Sequence, residues 1–242
     1  MTLASAGGAV FVASLLYLLY FIFIVLGRPV SPGPWLGAVA VDTLLFSVFS
    51  VHHSVMPREG AKHWFARHAS AELERTAYVW VASILLLVVC IGWRPVPGVV
   101  YSIGGAWRWM LHGVQLGGIL LVLRAAVRLD VLELAGVRQV QRATRSRRAQ
   151  SIIGLTPAAD DSASLQLRGP YSFVRHPIYL GWVVMVFCAP HMTANRLAFA
   201  VMSTAYLAIG TLFEERSLEK AFGESYREYQ RRVRWRIVPG LF

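Results

Sequence analysis

Charged residues are scarce in this chain, and cysteine is almost absent. Asp, Glu, Lys and Arg make up 15% of the 242 residues, whereas hydrophobic residues make up 56%. A soluble domain of this size rarely has so few charges, so the composition excludes an ordinary water-soluble protein. The two cysteines, Cys90 and Cys188, lie inside apolar runs, which excludes a disulfide scaffold and favours roles as small buried apolar residues.

Acidic residues are the scarcer of the two charge types. There are 13 of them against 24 Lys and Arg, which gives a net charge of +11. Such an excess is found in nucleic-acid-binding proteins, but it also arises when basic loops flank membrane helices. We favour the second interpretation and expect no nucleic-acid partner.

Motifs for metals and nucleotides are lacking as well. His52 and His53 are neighbours, so on a helix they point about 100° apart and cannot ligate one metal from the same face. The glycine-rich segment at 102 to 107 lacks the G-x-G-x-x-G spacing, and no strand is predicted before it. We therefore predict no metal site and no nucleotide-binding loop of that kind.

Long apolar runs are the dominant feature of the sequence. They lie at about 8 to 26, 35 to 56, 77 to 93 and 107 to 123, and two more lie between 177 and 213. A helix needs about 20 apolar residues to cross the hydrocarbon layer. The sequence predicts an all-α, polytopic membrane protein with five or six transmembrane helices, in which residues 1–242 form a single integral-membrane domain.

The positive charges alternate between the two sides of this arrangement. Twenty of the 24 Lys and Arg fall in the loops after the second and fourth runs and in the C-terminal tail, and only four fall in the other loops. Positively charged loops stay in the cytoplasm. Six crossings with both termini in the cytoplasm are predicted.

The segment from 168 to 232 predicts a helical hairpin with a charged end. Pro177 suits the first position of a helix of about 13 residues, and Pro190 ends that helix before a turn and a second helix from 195 to 213. If the arms are antiparallel, Arg175 and His176 meet Glu214 and Glu215 at one rim. A binding site and a plain Arg–Glu pair that closes the hairpin both fit this pattern.

A further helix is predicted after the hairpin. Apolar and aromatic residues recur at helical spacing around Gly223, namely at Leu218, Ala221, Phe222, Tyr226 and Tyr229. We expect a cytosolic C-terminal helix that packs over the site, with Tyr226 and Tyr229 able to offer aromatic faces to a cation. Residues 154 to 167 are small and polar, and they could form a lid.

Several spaced motifs resemble a known family. R-G-P-Y at 168, V-R-H-P-x-Y-L-G at 174, E-E-R-x-L at 214 and F-G-x-x-Y-x-x-Y at 222 resemble the C-terminal region of isoprenylcysteine carboxyl methyltransferases and phospholipid methyltransferases. These are integral-membrane enzymes that use S-adenosylmethionine. Four segments of the first 140 residues (HHSVMPR, ERTAYV, WRPVPGVV and LDVLELAGVRQV) resemble a bacterial branch of the superfamily, the methanethiol S-methyltransferases.

The resemblance implies a cofactor site in the C-terminal region. Residues 168–239 would bind S-adenosylmethionine, and residues 1–140 would supply the N-terminal transmembrane helices and the substrate side. His176, Tyr179 and Gly181 would line the cofactor pocket. By their chemistry, Arg175 suits the donor's carboxylate, Glu214 or Glu215 its ammonium or ribose hydroxyls, and the Tyr171 or Tyr179 ring its adenine or sulfonium.

The acceptor is less sharply defined by the sequence. A thiol reacts as the thiolate, which a nearby cation stabilises; His53, Arg75 and Arg232 are the candidates for that cation or for a proton acceptor. We predict methylation of a small thiol such as methanethiol to a thioether, by a protein surrounded by membrane lipids in the bacterial inner membrane with its active site in the cytoplasm.

Two alternatives stay open at this point. One is a methyltransferase for a lipid-borne acceptor, either a prenylcysteine carboxylate or a phospholipid amine. The other is a non-catalytic haem, quinone or transport-related membrane protein. The oligomeric state is left open.

Overall fold

The computed structural model describes residues 2–56, 58, 67, 71–128 and 169–242. Its helices in chain order are α1 (Thr2–Phe23), α2 (Leu36–Val55), α3 (Ala71–Gly92), α4 (Gly105–Arg128), α5 (Pro177–Phe187), α6 (Ala194–Phe222) and α7 (Glu224–Arg232). Short 3-10 turns follow α1 at Val25–Gly27 and precede α5 at Gly169–Ser172, and two short strands are β1 (Val99–Ser102) and β2 (His191–Thr193). The predicted lid at 154 to 167 lies outside the described residues.

The helices have the length and composition of membrane spans. Four of the described helical segments are long and apolar enough to cross a bilayer: Ala6–Gly27, Leu36–Val55, Gly105–Val127 and Ala194–Phe222. Two shorter apolar helices, Thr76–Gly92 and Pro177–Phe187, accompany them. Large hydrophobic side chains cover much of the outer surface, as expected where lipid replaces water. The prediction of an all-α polytopic membrane protein is confirmed.

An aromatic cluster forms the centre of the bundle. Phe21 of α1, Trp93 after α3 and Phe199 of α6 pack edge to face, with ring centroids 5.5 to 5.8 Å apart. Trp93 also donates a 2.7 Å hydrogen bond from Nε1 to Oδ1 of the buried Asn195. Edge-to-face aromatic pairs add stability beyond the area they bury. The cluster thus ties α1, α3 and α6 together near one end of the bundle.

Two glycines bring α4 and α5 into close contact. A Cβ atom added at Gly181 would lie 2.6 Å from the carbonyl oxygen of Gly118, and one added at Gly118 would lie 2.7 Å from the carbonyl oxygen of Gly181. Neither position has room for a side chain. Small residues let helix backbones approach in membranes, where packing drives association. Gly118 is thus the close-packing glycine of α4, whereas Gly113 and Gly117 face open space.

The connection between α5 and α6 differs from the turn predicted at 190 to 194. Residues His191–Thr193 form β2, which pairs antiparallel with β1. The Thr193 side chain then caps α6 by accepting a 3.0 Å hydrogen bond from the backbone N–H of Arg196. Strands this short carry too little pattern in the sequence to be recognised without their partner, which lies about ninety residues earlier in the chain.

Helix α6 is longer than predicted. It continues past residue 213 to Phe222, so Glu214 and Glu215 lie inside a helix of 29 residues rather than at its end. Gly223, with a φ of 55°, then reverses the chain into α7. Few residues other than glycine adopt this conformation readily. The turn places α7 back against the last part of α6, where Tyr226 and Tyr229 pack against Leu218 and Phe222.

Candidate functional site

The amino-terminal end of α5 meets the carboxy-terminal part of α6. Pro177 starts α5, and Arg175 and His176 immediately precede it. Both side chains contact Glu215 of α6: Arg175 Nε lies 2.7 Å and His176 Nε2 lies 3.3 Å from Glu215 Oε1. The prediction that the basic and acidic clusters lie at the same end of the hairpin is confirmed.

Glu215 is the centre of a buried ionic cluster. Its side chain is 3% exposed and accepts hydrogen bonds at both carboxylate oxygens. Besides Arg175 and His176, Oε2 accepts from Arg236 Nε at 3.0 Å and from Gln230 Nε2 at 3.4 Å. A buried carboxylate is tolerated only when it is paired and hydrogen-bonded in this way. Glu215 therefore has little capacity left for a ligand.

Arg175 is equally committed to the protein itself. Its Nη1 donates to the carbonyl oxygens of Val233 and Arg234, each at 2.8 Å, and its Nη2 donates to Glu215 Oε2 at 3.3 Å. The backbone N–H groups of Arg175 and His176 donate to the carbonyl oxygens of Trp235 and Arg236. Because a guanidinium has only five N–H donors, most of those of Arg175 are used. These contacts hold the segment after α7 against the start of α5.

Glu214 is in a different environment from Glu215. Its side chain is 46% exposed, and its Oε2 accepts a 3.0 Å hydrogen bond from the hydroxyl of Tyr179 and lies 3.5 Å from His176 Nδ1. The rings of His176 and Tyr179 are stacked, with centroids 5.3 Å apart and planes 4° from parallel. The result is an oriented carboxylate with free acceptor capacity beside two aromatic rings.

The remaining predicted tyrosines are buried beneath this region. The Tyr229 hydroxyl donates a 2.7 Å hydrogen bond to the carbonyl oxygen of Tyr171, and the Tyr226 side chain is 1% exposed. Burial raises the pKa of Tyr229 to about 12, and burial likewise raises the pKa of Tyr171 and Tyr226 above the usual 10.0. All three are thus neutral packing residues here, and their contact with a donor stays a prediction.

Of the other four predicted site residues, three have contacts elsewhere in the protein, and the side chain of the fourth lies outside the described residues. Gly181 lies in the contact with Gly118, which by itself explains why a glycine is needed. His53 Nδ1 lies 3.0 Å from the hydroxyl of Tyr78. Arg232 is exposed and pairs with Glu228 at 3.1 Å, whereas the side chain of Arg75 lies outside the described residues. The roles of these residues in binding and catalysis stay predictions.

Three polar residues join the site without having been predicted. Gln230 and Arg236 complete the Glu215 cluster, and Arg58 places its guanidinium carbon 4.6 Å from the centre of the Phe213 ring, one residue before Glu214. Gln230 lies one turn after Tyr226 on α7, so its position on the buried face could have been read from the helical period. Arg58 and Arg236 reach the site only through the tertiary fold.

Fold and site together define a multi-pass helical membrane protein with a polar site at one end of its last hairpin. Comparison with known proteins identifies the family. The sequence profile of the isoprenylcysteine carboxyl methyltransferase family matches residues 147–220. No solved structure matches the chain.

Curated relatives match over most of the chain. Methanethiol S-methyltransferase 2 of Bradyrhizobium diazoefficiens is 35% identical over 241 residues, which cover 97% of this chain and 87% of the relative. Methanethiol S-methyltransferase of Mycobacterium tuberculosis is 38% identical over 200 residues, or 81% of this chain and 76% of the relative. The enzyme of that name from Pseudomonas deceptionensis is 36% identical, over 88% of this chain and 79% of its own length.

The chain belongs to the isoprenylcysteine carboxyl methyltransferase superfamily, on the branch that includes these relatives. It is a membrane methyltransferase. This confirms the resemblance seen in the sequence, in both the C-terminal motifs and the first 140 residues.

Proposed function

We propose that the protein methylates a small thiol, such as methanethiol, with S-adenosylmethionine as the methyl donor. The observation that carries this proposal is the similarity to methanethiol S-methyltransferases, which extends over 97% of the chain. The similarity includes the N-terminal helices as well as the hairpin, so it covers the half of the protein that we assign to the acceptor.

The residues around Glu214 fit the chemistry of this donor. The donor carries an ammonium, ribose hydroxyls and a sulfonium, all of which interact favourably with a carboxylate or an aromatic face. Glu214 offers half-exposed carboxylate oxygens, and the Tyr179 hydroxyl and His176 hold that carboxylate in one orientation. We propose Glu214, Tyr179 and His176 as the residues that contact the donor.

Arg175 and Glu215 have an indirect role in this proposal. They fix the segment after α7 against α5, and so they keep His176 and Glu214 at the correct separation. Bound S-adenosylmethionine would supply a methyl group on a positively charged sulfur. The protein's contribution is to orient donor and acceptor in line and to exclude water, since orientation of this kind can contribute about 7–11 kcal/mol.

A cation near the acceptor would favour its reactive form. A thiol attacks as the thiolate, whose pKa is lowered by a neighbouring positive charge. Arg58 lies over the ring of Phe213, the residue before Glu214 in the chain. We add Arg58 to His53, Arg75 and Arg232 as a candidate for this role.

From the distribution of positive charge we further propose that the site faces the cytoplasm of a bacterial cell.

A substrate panel tests the proposed function. The purified protein, in detergent, is incubated with methyl-labelled S-adenosylmethionine and either methanethiol, a prenylcysteine or a phospholipid amine. We expect labelled dimethyl sulfide in the volatile fraction. Label in the lipid fraction alone would reject the thiol and favour the lipid-borne acceptor, whereas donor binding without any transfer would reject all three acceptors.

A further inference from the structure

A polar cavity lies at the end of the bundle opposite Glu215. It has a volume of about 480 Å³, and its lining includes Phe23, Ile103, Arg108, His112, His191 and Arg196. Arg196 precedes Glu215 by 19 residues of the same helix. At ~1.5 Å of rise per residue the two lie about 28 Å apart. The cavity is therefore separate from the proposed methyl-transfer site.

The lining of this cavity carries the positive charge of two arginines. Two histidines lie beside them, and none of the described residues that line the cavity is acidic. Among the acidic residues that the structure describes, only Asp42 lies in this half of the bundle, where its Oδ1 accepts a 2.7 Å hydrogen bond from the backbone N–H of Arg94. An uncompensated cluster of this kind attracts an anion.

Arg196 is held rigidly, but its charge is not neutralised. Its Nη1 donates to the carbonyl oxygen of His191 and its Nη2 to that of Phe23, both at 2.7 Å. Carbonyl oxygens satisfy the donors without cancelling the full charge. Arg108 is exposed, and within the described part of the chain it has neither a hydrogen bond nor an ion pair. Both guanidinium charges are thus available to a ligand.

The two imidazole rings are also oriented. Gln115 donates from Nε2 to the carbonyl oxygen of Met185 at 2.8 Å, so its Oε1 is the acceptor for His112 Nδ1 at 3.1 Å. His191 uses Nδ1 in a 3.2 Å contact with the Ser102 hydroxyl. In each ring this leaves Nε2 without a hydrogen bond among the described residues, and Nε2 donates to an anion when the ring carries both protons.

Apolar side chains also line the cavity and lie on the outside of the bundle. Ile24 is 50% exposed and Ile103 is 36% exposed, and Phe23 lies beside Ile24 at the end of α1. A free anion gains nothing from such walls, but the acyl chains of a lipid do. The position at the ends of α1 and α4 also corresponds to the headgroup region of the bilayer.

We propose that this cavity binds the phosphate group of an anionic phospholipid, with Arg108 and Arg196 as the charged contacts and the exposed isoleucines against the acyl chains. The site is independent of the methyl-transfer site and rests on neither its donor nor its acceptor.

Lipid retention in nanodiscs tests the proposal. The full-length protein is reconstituted with equal amounts of phosphatidylglycerol and phosphatidylcholine, and the lipid that stays bound after ejection from the disc is quantified by native mass spectrometry. We compare the wild type with Arg108→Gln, with Arg108→Lys and with Arg28→Gln. Arg28 is the matched control, because it donates to the Tyr20 hydroxyl at 2.8 Å and does not line the cavity.

We expect Arg108→Gln to lose bound phosphatidylglycerol selectively. The wild type should retain phosphatidylglycerol in preference to phosphatidylcholine, Arg108→Gln should retain about tenfold less of it, as expected for losing one charged hydrogen bond, and Arg108→Lys should recover part of the loss. Arg28→Gln should behave as the wild type.

Three outcomes would overturn the proposal. They are equal retention of the two lipids by the wild type, an equal loss in Arg108→Gln and Arg28→Gln, and displacement of the lipid by inorganic phosphate at equal concentration. The last outcome would assign the cavity to a free anion. A thermal unfolding scan of each variant shows that the comparison is made on folded protein.

Discussion

Glu214 and Glu215 are adjacent on α6, yet they occupy opposite environments. Glu215 is 3% exposed and is surrounded by donors, whereas Glu214 is 46% exposed, and its polar partners among the described residues are Tyr179 and His176. Successive helical residues point about 100° apart, so the Glu215 carboxylate faces α7 and the Glu214 carboxylate faces the open side. On this difference we base the proposal of a structural role for Glu215 and a ligand-binding role for Glu214.

The first prediction concerns Glu214. Glu214→Gln should weaken binding of S-adenosylhomocysteine by about tenfold or more, because it removes the charge from the carboxylate that we assign to the donor. Isothermal titration calorimetry in detergent measures this affinity. Glu224→Gln is the control, since Glu224 is an exposed carboxylate that pairs with Arg231 on α7. Equal affinities for the wild type and Glu214→Gln would remove Glu214 from the donor site.

The second prediction concerns Arg175. Arg175→Ala should lower the free energy of unfolding by about 3–5 kcal/mol, because it leaves the buried Glu215 carboxylate without its closest partner. The shift in the midpoint of thermal unfolding measures this. Arg232→Ala, which breaks an exposed pair with Glu228, should change stability by less than about 1 kcal/mol. A variant that loses donor affinity at unchanged stability would show instead that Arg175 contacts the donor directly.

The third prediction concerns the contact between α4 and α5. Gly181→Ala should destabilise the protein by about 1–3 kcal/mol, because the new methyl group would overlap the Gly118 carbonyl oxygen and force the helices apart. Gly117→Ala is the matched control in α4: nothing lies within 4 Å of its added Cβ, and alanine favours helix over glycine by about 1 kcal/mol. If both variants unfold at the wild-type temperature, the close approach of the two helices is wrong.

The fourth prediction concerns alkaline pH. The pKa of Tyr229 is raised from 10.0 to about 12 by burial, so the folded protein keeps its phenol protonated where the unfolded chain ionises. The stability of the α7 region should therefore be fully present below pH 10.0 and should decline as pH rises towards about 12. Phenolate absorbance and circular dichroism, recorded along the same titration, measure the two quantities.

Tyr229→Phe is the control for the alkaline titration. It removes one ionisation from the transition, and it also leaves the Tyr171 carbonyl oxygen without its 2.7 Å donor. The variant should lose stability at neutral pH by about 1–3 kcal/mol, and its stability should fall less steeply above pH 10.0 than that of the wild type. A Tyr229 phenol that ionises at its ordinary pKa would contradict the burial seen in the structure.

The helices and the general position of the site could be read from the sequence. Apolar runs longer than a soluble helix needs can be accommodated only by lipid, and Pro177 marks the start of α5 without reference to any other part of the chain. Antiparallel packing of two consecutive helices then brings Arg175 and Glu215 to one end. Family membership was also visible in the spaced motifs.

The partners of individual charges could not be read in this way. In the sequence Glu214 and Glu215 are interchangeable, and Arg175 is free to bind the donor's carboxylate. Nothing in the sequence shows that Gln230, Arg236 and two carbonyl groups after α7 surround them. The sequence does not predict the strand pair between β1 and β2 either, because its two strands are distant in the chain.

Composition and periodicity, which are properties of each segment alone, determined that this protein is a bundle of membrane helices with a charged hairpin end. The tertiary structure decided which carboxylate is buried and which is open, that Gly181 packs against Gly118, and that a basic cavity forms at the opposite end. Each of these depends on contacts between residues far apart in the chain, and the energy of such contacts exists only once the chain has folded.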